Sequence, residues 1–240
     1  MRLERNFDRK VTNLVLPNGK RPKIANTFGL PSGVQFSCPM ATSICSKVCY
    51  AGRIEKMYKA SGALLLRNWD KVKDADYSTL VEELDWMIKD FIFDCERWDA
   101  PKYFRIHWDG DFFNVDYVNA WKTVILAHPD VQFWVYTRTT YAFEILDGIE
   151  NLSLYFSTDS ENQKVAESLR AKAKTGRLAV LADTFADAAE VMVPITGKVG
   201  AKCPENAKQI PLISDKGSAC MSCGLCPKAK ADIRFSIKKR

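Results

Sequence analysis

Cys220, Cys223 and Cys226 follow one another with two residues between each pair, and Pro227 stands directly after the last. That spacing and the Cys-Pro ending are those of bacterial ferredoxin-type iron–sulfur loops. Two-residue steps let successive thiolates wrap one face of a cubane. Gly224 permits the turn and leaves backbone amides to hydrogen-bond cluster sulfur. Cys203, also followed by proline, is the natural fourth ligand. Zinc is the alternative, because four thiolates hold it tetrahedrally, although paired two-cysteine knuckles are its usual form.

Upstream, Cys38, Cys45 and Cys49 leave six and then three residues between thiols. With no fourth cysteine nearby, a cluster here keeps one iron for a non-protein ligand. A zinc site completed elsewhere, or one centre shared with the C-terminal group, are the other readings. Cys95, in an apolar helical pattern, reads as a small buried hydrophobe. Residues 1–10 are charged and unlike a secretory leader, so a cytoplasmic, reducing compartment is expected. Clustered thiols then point to metal or redox chemistry instead of disulfides.

Such loops need a frame. A chain of 240 residues, 47% hydrophobic and 27% charged, is ordinary for a globular protein and excludes disorder, collagen and coiled coil. No apolar run approaches the ~20 residues that span a bilayer, so no membrane partner is expected. Short β-rich runs alternate with helical patterns. Strands are expected at residues 24–30, 103–108, 131–137, 152–157, 178–182 and 191–195. Helices are expected at 60–72, 78–93, 115–127, 141–146, 166–173 and 186–189. About six β/α alternations with short connections imply parallel strands joined by helical crossovers. A doubly wound sheet and an incomplete (β/α) barrel both fit.

Either way, chemistry belongs at the C-terminal strand ends. There stand His107, Asp109, Gly110 and Asp111, then Arg138, then Asp159, on the same side as the first cysteine loop. The organisation reads as a basic leader at 1–24, an α/β barrel-like domain at 25–200, and a cysteine-rich extension with a basic tail at 201–240. Residues 1–24 carry seven Lys/Arg against two acids, and 228–240 carry six against one. Basic ends of this kind suit nucleic acid; solvated termini are the plainer reading. The oligomeric state is not legible.

The combination of Thr27-Phe28-Gly29-Leu30-Pro31-Ser32-Gly33, Ser37-Cys38-Pro39, Cys45, Cys49-Tyr50-Ala51, the run from Arg105 through His107-Trp108-Asp109-Gly110-Asp111 to Phe113, Tyr136-Thr137-Arg138 and Cys220-x-x-Cys223-Gly224-Leu225-Cys226 resembles the phage "gene product eighty-eight" domain family over residues 25–227. That resemblance implies a phage or prophage origin, hence the host cytoplasm. More distantly, the layout is similar to radical S-adenosylmethionine enzymes. It implies a TIM-barrel-like partial (β/α)6 barrel with an auxiliary 4Fe-4S cluster in the extension. An external electron donor would supply that cluster, which would pass electrons to the one at Cys38, Cys45 and Cys49. There S-adenosylmethionine would bind, with Gly110 and Asp111 at its amino group and Arg138, Asp159 and His107 facing substrate. Those enzymes carry three and then two residues between their cysteines, where this loop has six and then three. Two rival readings stand beside the enzyme. One is a non-catalytic, metal-stabilised protein that binds nucleic acid or a host protein; the other is a hydrolase with His107, Asp109 and Asp111 as metal ligands.

Overall fold

The computed structural model describes residues 2–238. After a leader and an extended segment come four helices: α1 (Ser43–Val48), α2 (Tyr50–Met57), α3 (Lys59–Val72) and α4 (Tyr77–Trp98). Asp76 starts α4 by accepting from the Thr79 amide at 2.8 Å. Its buried residues Leu80, Leu84, Met87, Ile88, Phe91 and Cys95 recur at three- and four-residue steps along one face.

The alternating part follows: β1 (Tyr103–Ile106), α5 (Val115–Ala127), β2 (Gln132–Thr137), α6 (Thr140–Leu146), β3 (Leu152–Thr158), α7 (Gln163–Lys172), β4 (Arg177–Ala182) and α8 (Phe185–Thr196). Four short strands and one short helix complete the chain: β5 (Ala201–Lys202), β6 (Ile213–Ser214), β7 (Gly217–Ser218), α9 (Ala219–Cys223) and β8 (Ile233–Ser236). The protein is thus mixed α/β around a six-stranded sheet of order β1-β2-β3-β4-β8-β5. Every neighbouring pair in that sheet is parallel; β6 and β7 form a separate antiparallel hairpin.

Strand order runs in one direction from β1 to β4, without the reversal of a doubly wound sheet. Crossovers of one hand then lay consecutive helices side by side on one face, and α4 through α8 pack in that sequence. Alternate strand residues sort the two faces. Phe104, Ile106, Phe133, Val135, Leu154, Phe156, Leu178 and Val180 meet the helices. Trp134, Tyr155, Ala179 and Ile233 face the other way, where the leader's Val11 and the thiol of Cys226 cover them.

The structure departs from three expectations. Residues 24–30 form no full strand, yet they run parallel along β1. Arg105 N donates to Asn26 O, Phe28 N to Arg105 O and Trp108 N to Phe28 O. Residues 191–195 are not the last strand but the second half of α8. Thr184 and Asp187 close a capping box that starts this helix, and Ala188 and Met192, four apart, are its buried face. The strands beyond β4 come instead from residues 201–202 and 233–236, so a boundary near residue 200 cuts through the sheet.

The leader is no free arm either. Leu3, Val11, Leu14, Leu16 and Ile24 are buried. Arg2 pairs with Glu82 and Glu83, Arg5 with Asp90 and Asp94, and Lys10 with Glu205. At the other end Arg234 is buried and donates to Phe185 O, while Lys239 and Arg240 lie outside the described residues. No helix among those described is long and apolar enough to cross a membrane.

Candidate functional site

The first cysteine loop is tied to the strand ends by small polar side chains. Ser37 Oγ donates to Pro31 O at 2.7 Å and accepts from Asp111 N at 3.2 Å. Gly110, with φ of +82°, lets this happen, because a Cβ there would strike Ser37 Oγ and come within 2.8 Å of Leu30 O. Thr42 caps α1, accepting from Cys45 N at 3.0 Å while its hydroxyl donates to Asp159 at 2.6 Å. Ser43 N donates to Glu161 at 2.8 Å. Cys49 caps α2, its Sγ accepting from Gly52 N at 3.3 Å.

These ties gather Cys38, Cys45, Cys49, Asp111, Arg138 and Asp159 at one edge. Burial pushes the Cys38 thiol well up, with Asp111 and Asp109 adding to it. Burial also raises Cys45, which the neighbouring Cys49 raises further and Arg138 opposes. Arg138 Nη1 lies 2.7 Å from Asp159 Oδ2, though out of hydrogen-bonding alignment.

Asp111 departs from the role expected of it. Its Oδ1 accepts from Thr137 Oγ1 at 2.6 Å and Phe112 N at 2.8 Å, and its Oδ2 from Arg138 N at 2.8 Å. The carboxylate is engaged in joining the β1 and β2 ends, and burial still pushes it up to about 6. Asp159 is likewise wholly buried and committed to Thr42, Arg138 and Glu161 N.

His107 does not face the edge at all. A φ of +55° turns it inward, among Phe28, Phe112, Tyr117 and Trp121. There Nε2 bonds Tyr117 Oη at 2.9 Å, and burial followed by the Arg105 charge pushes it down to about 3. His128 ends α5 and bonds Asp85 at 2.8 Å. Neither histidine is placed for metal, and among the described residues no three His, Cys, Asp or Glu side chains are set around a single ion's position. The hydrolase ligand set of His107, Asp109 and Asp111 is not assembled. Cys95 is fully buried in α4, its thiol pushed up to about 12.

The second cysteine group lies on the other face of the sheet from the helices. Cys220 N donates to Lys10 O at 3.0 Å and Cys203 N to Arg234 O at 3.0 Å, so the leader and β8 place the two ends of the set. Gly224, left-handed at φ of +66°, closes α9 and turns the chain toward Cys226. Cys226 feels the thiols of Cys203 and Cys223, and Cys220 feels Cys226. Burial pushes Cys220 and Cys226 up to about 12. Tyr136 lies against Cys226 and Cys220, with the ring of Tyr155 tilted beside it at 5.3 Å.

Sequence reasoning gave Tyr50 and Arg105 no role beyond the family motif, and they lie between the two groups. Tyr50 Oη donates to Trp108 O at 3.1 Å and accepts from Arg105 Nη2 at 3.2 Å. Arg105 Nη1 donates to Asp8 at 2.6 Å, and its guanidinium lies 5.7 Å from the Tyr136 ring centroid. Asp109 meets Glu55 of α2, and burial followed by that carboxylate pushes it up to about 9. The available signal was the two-residue alternation that sets Arg105 opposite Trp134 in register and beside Tyr136 on one sheet face.

A family model described as "Gene product 88" matches residues 1–229. The "Gene 88 protein" of Mycobacterium phage L5 is 48% identical over 245 residues, covering 100% of this chain and 99% of that protein. The "Gene 88 protein" of Mycobacterium phage D29 is 47% identical over 244 residues, covering 99% of each. No solved structure matches the chain.

Proposed function

The chain belongs to the gene product 88 family, and from that premise we propose that it is an iron–sulfur protein whose open parallel sheet, similar to a radical S-adenosylmethionine partial barrel, serves redox or radical chemistry at the Cys38, Cys45 and Cys49 edge. One observation carries the reading: behind the sheet, buried Cys226 shares a cluster with half-buried Cys203 and Cys220, and half-buried Cys223 neighbours Cys226. Their thiols are not drawn around one ion's position. The two-residue steps of Cys220, Cys223 and Cys226 and the following Pro227 are what favour iron–sulfur over zinc here.

When bound, such a centre supplies one-electron chemistry, and an iron short of a thiolate offers a position to a small nitrogen–oxygen ligand such as S-adenosylmethionine. The chain supplies the rest. The four C-terminal thiols hold one centre, while Trp134, Tyr136 and Tyr155 keep water from it. Cys38, Cys45 and Cys49 hold the other, and the Arg138–Asp159 pair fixes the rim beside them. Because burial holds Cys220 and Cys226 neutral, loading expels protons and uptake weakens as pH falls.

Anaerobic purification with iron and acid-labile sulfide counts tests this. The expected protein is brown, with about four irons per occupied site, and Cys→Ser at 220, 223 or 226 bleaches the share of the absorption that belongs to the C-terminal centre. A colourless protein holding zinc would favour the metal-stabilised binding protein instead. For the N-terminal site, S-adenosylmethionine added to reduced protein should shift the electron paramagnetic resonance signal and release 5′-deoxyadenosine. A spectrum indifferent to it leaves that cluster closed.

A further inference from the structure

Residues 24–69 hold five Lys/Arg, at 47, 53, 56, 59 and 67, and one acid, Glu55. That acid is turned inward, its Oε1 accepting from Ser32 N at 2.9 Å and from Ser32 Oγ at 2.6 Å. Arg67 bonds Glu4. Among the described residues no ion pair occupies Lys47, Arg53, Lys56 or Lys59, and all four are exposed. The neighbouring α4 has the opposite character: it exposes Trp86 and Phe93 but carries six acids against two bases. Charge alone does not single out α2, since α7 carries three Lys/Arg against one acid. What α7 lacks is an aromatic ring.

α2 sorts its sides by the helical period. Ala51 and Ile54 pack with Leu65 and Trp108, and Gly52 sits against Ser32. Tyr50, Arg53 and Met57, at steps of three and four, therefore share the outer side with Lys56. Met57 is 72% exposed and Tyr58 58%. Tyr58 stands in extended backbone where α2 ends, and Lys59 opens α3 directly after it. Tyr50 keeps a half-exposed ring, fixed by the bond from its hydroxyl to Trp108 O. Cations at 47, 53, 56 and 59 thus alternate with rings at 50 and 58, which lie about 12 Å apart along the helix.

We propose that the outer side of α2, from Lys47 to Lys59, binds single-stranded nucleic acid, with the four cations on its phosphates and Tyr50 and Tyr58 stacked on its bases. Unpaired cations attract any polyanion; the rings select among them. A base offers a flat face, and a single strand leaves that face open where a duplex hides it. A lipid surface takes an amphipathic helix by its apolar side, and that side of α2 is occupied by Leu65 and Trp108. Because Cys49 caps the start of α2, a bound strand lies beside the first cysteine edge. The surface owes nothing to the iron–sulfur reading, and it moves the nucleic-acid contact from the two basic ends to the middle of the fold.

The test is fluorescence anisotropy of labelled oligothymidylate and oligouridylate of about 20 nucleotides, titrated with the full chain over a salt series. Binding of either probe should weaken with salt at a log–log slope of about −3 for four phosphate contacts. Arg53→Glu with Lys56→Glu should weaken it at least about tenfold and flatten that slope. Tyr58→Ala should weaken it about tenfold and leave the slope unchanged. Lys164→Glu with Lys172→Glu makes the same change of charge on α7 and should leave affinity within about twofold. Circular dichroism checks each fold, and Lys47→Glu with Lys59→Glu, both outside α2, repeats the charge test should α2 unwind. No binding at low salt, equal losses from the α2 and α7 reversals, full affinity in Tyr58→Ala, or equal affinity for a duplex of the same length each overturns the proposal. Capture by phosphatidylserine vesicles without oligonucleotide binding assigns the surface to lipid and overturns it too. Iron content does not enter the readout, so failure here leaves the iron–sulfur reading standing.

Discussion

Asp109 enters the fold as an acid that keeps its proton. Burial, and then Glu55 beside it, push its carboxyl up to about 9, and burial pushes Asp111 up to about 6. An unfolded chain releases both protons near pH 4. Between that pH and the folded values the native state binds more protons, so stability falls as pH rises through the window. Asp111 alone accounts for on the order of 3 kcal/mol between its two states. Urea midpoints of metal-free protein should therefore decline from pH 5 to 9, and Asp109→Asn should flatten the decline above pH 6. A wild type whose midpoint rises over that range would contradict the pairing. The candidate rim was partly legible in the same residues. Cys38, Cys45, Cys49, Asp111, Arg138 and Asp159 come together because parallel strands end on one edge, which connection lengths reveal. Their commitment to one another was not legible, since Thr42, Ser37 and Thr137 act as tethers only once the loop is folded back. His107 was misplaced because nothing in its neighbours announces a left-handed backbone.

At the scale of elements, the approach of the 109–111 turn to the 30–38 loop depends on one missing methyl. Gly110→Ala puts a Cβ against Ser37 Oγ and Leu30 O in a left-handed conformation, so the strain and the clash add. A loss of about 2–4 kcal/mol is expected, with the Cys38 thiol alkylated faster than in wild type. Thermal unfolding and timed alkylation check both, and an unchanged melting temperature would mean that the turn yields. Periodicity located the helices flanking β1 to β4 and the strands between them, because those segments bury one face against a neighbour in sequence. It failed at residues 191–195, where an apolar run of five residues fits a buried strand and a helix end equally well. The distant capping box at Thr184 and Asp187 decides. It also failed for β5 and β8, whose two and four residues are too short to carry a period and are strands only because β4 waits for them.

For the whole molecule, the leader and the cysteine extension are one unit across some two hundred residues of sequence. Asn13 N donates to Ser218 Oγ, Ser218 Oγ to Arg9 O and Cys220 N to Lys10 O. Deleting residues 1–13 therefore does more than remove charge: it exposes the partners of Leu3 and Val11 and unfastens Cys220. The expected outcome is a broadened unfolding transition and, on the iron–sulfur reading, loss of iron from the C-terminal cysteines, read by calorimetry and iron counts. Retention of both would make the leader dispensable. The same reasoning rules out trimming residues 229–240 as a probe of nucleic-acid affinity, since that cut removes β8 from between β4 and β5. The position of β8 also sets an order of events during translation. Domains assemble as the polypeptide leaves the ribosome, amino end first, and residues 203–226 emerge before 233–236. The four thiols are therefore in solvent, beside a sheet still lacking its penultimate strand, before Ile233 arrives to cover them. On the iron–sulfur reading proposed above, their loading has a natural interval in biosynthesis, and a protein starved of iron during that interval would close over empty thiols.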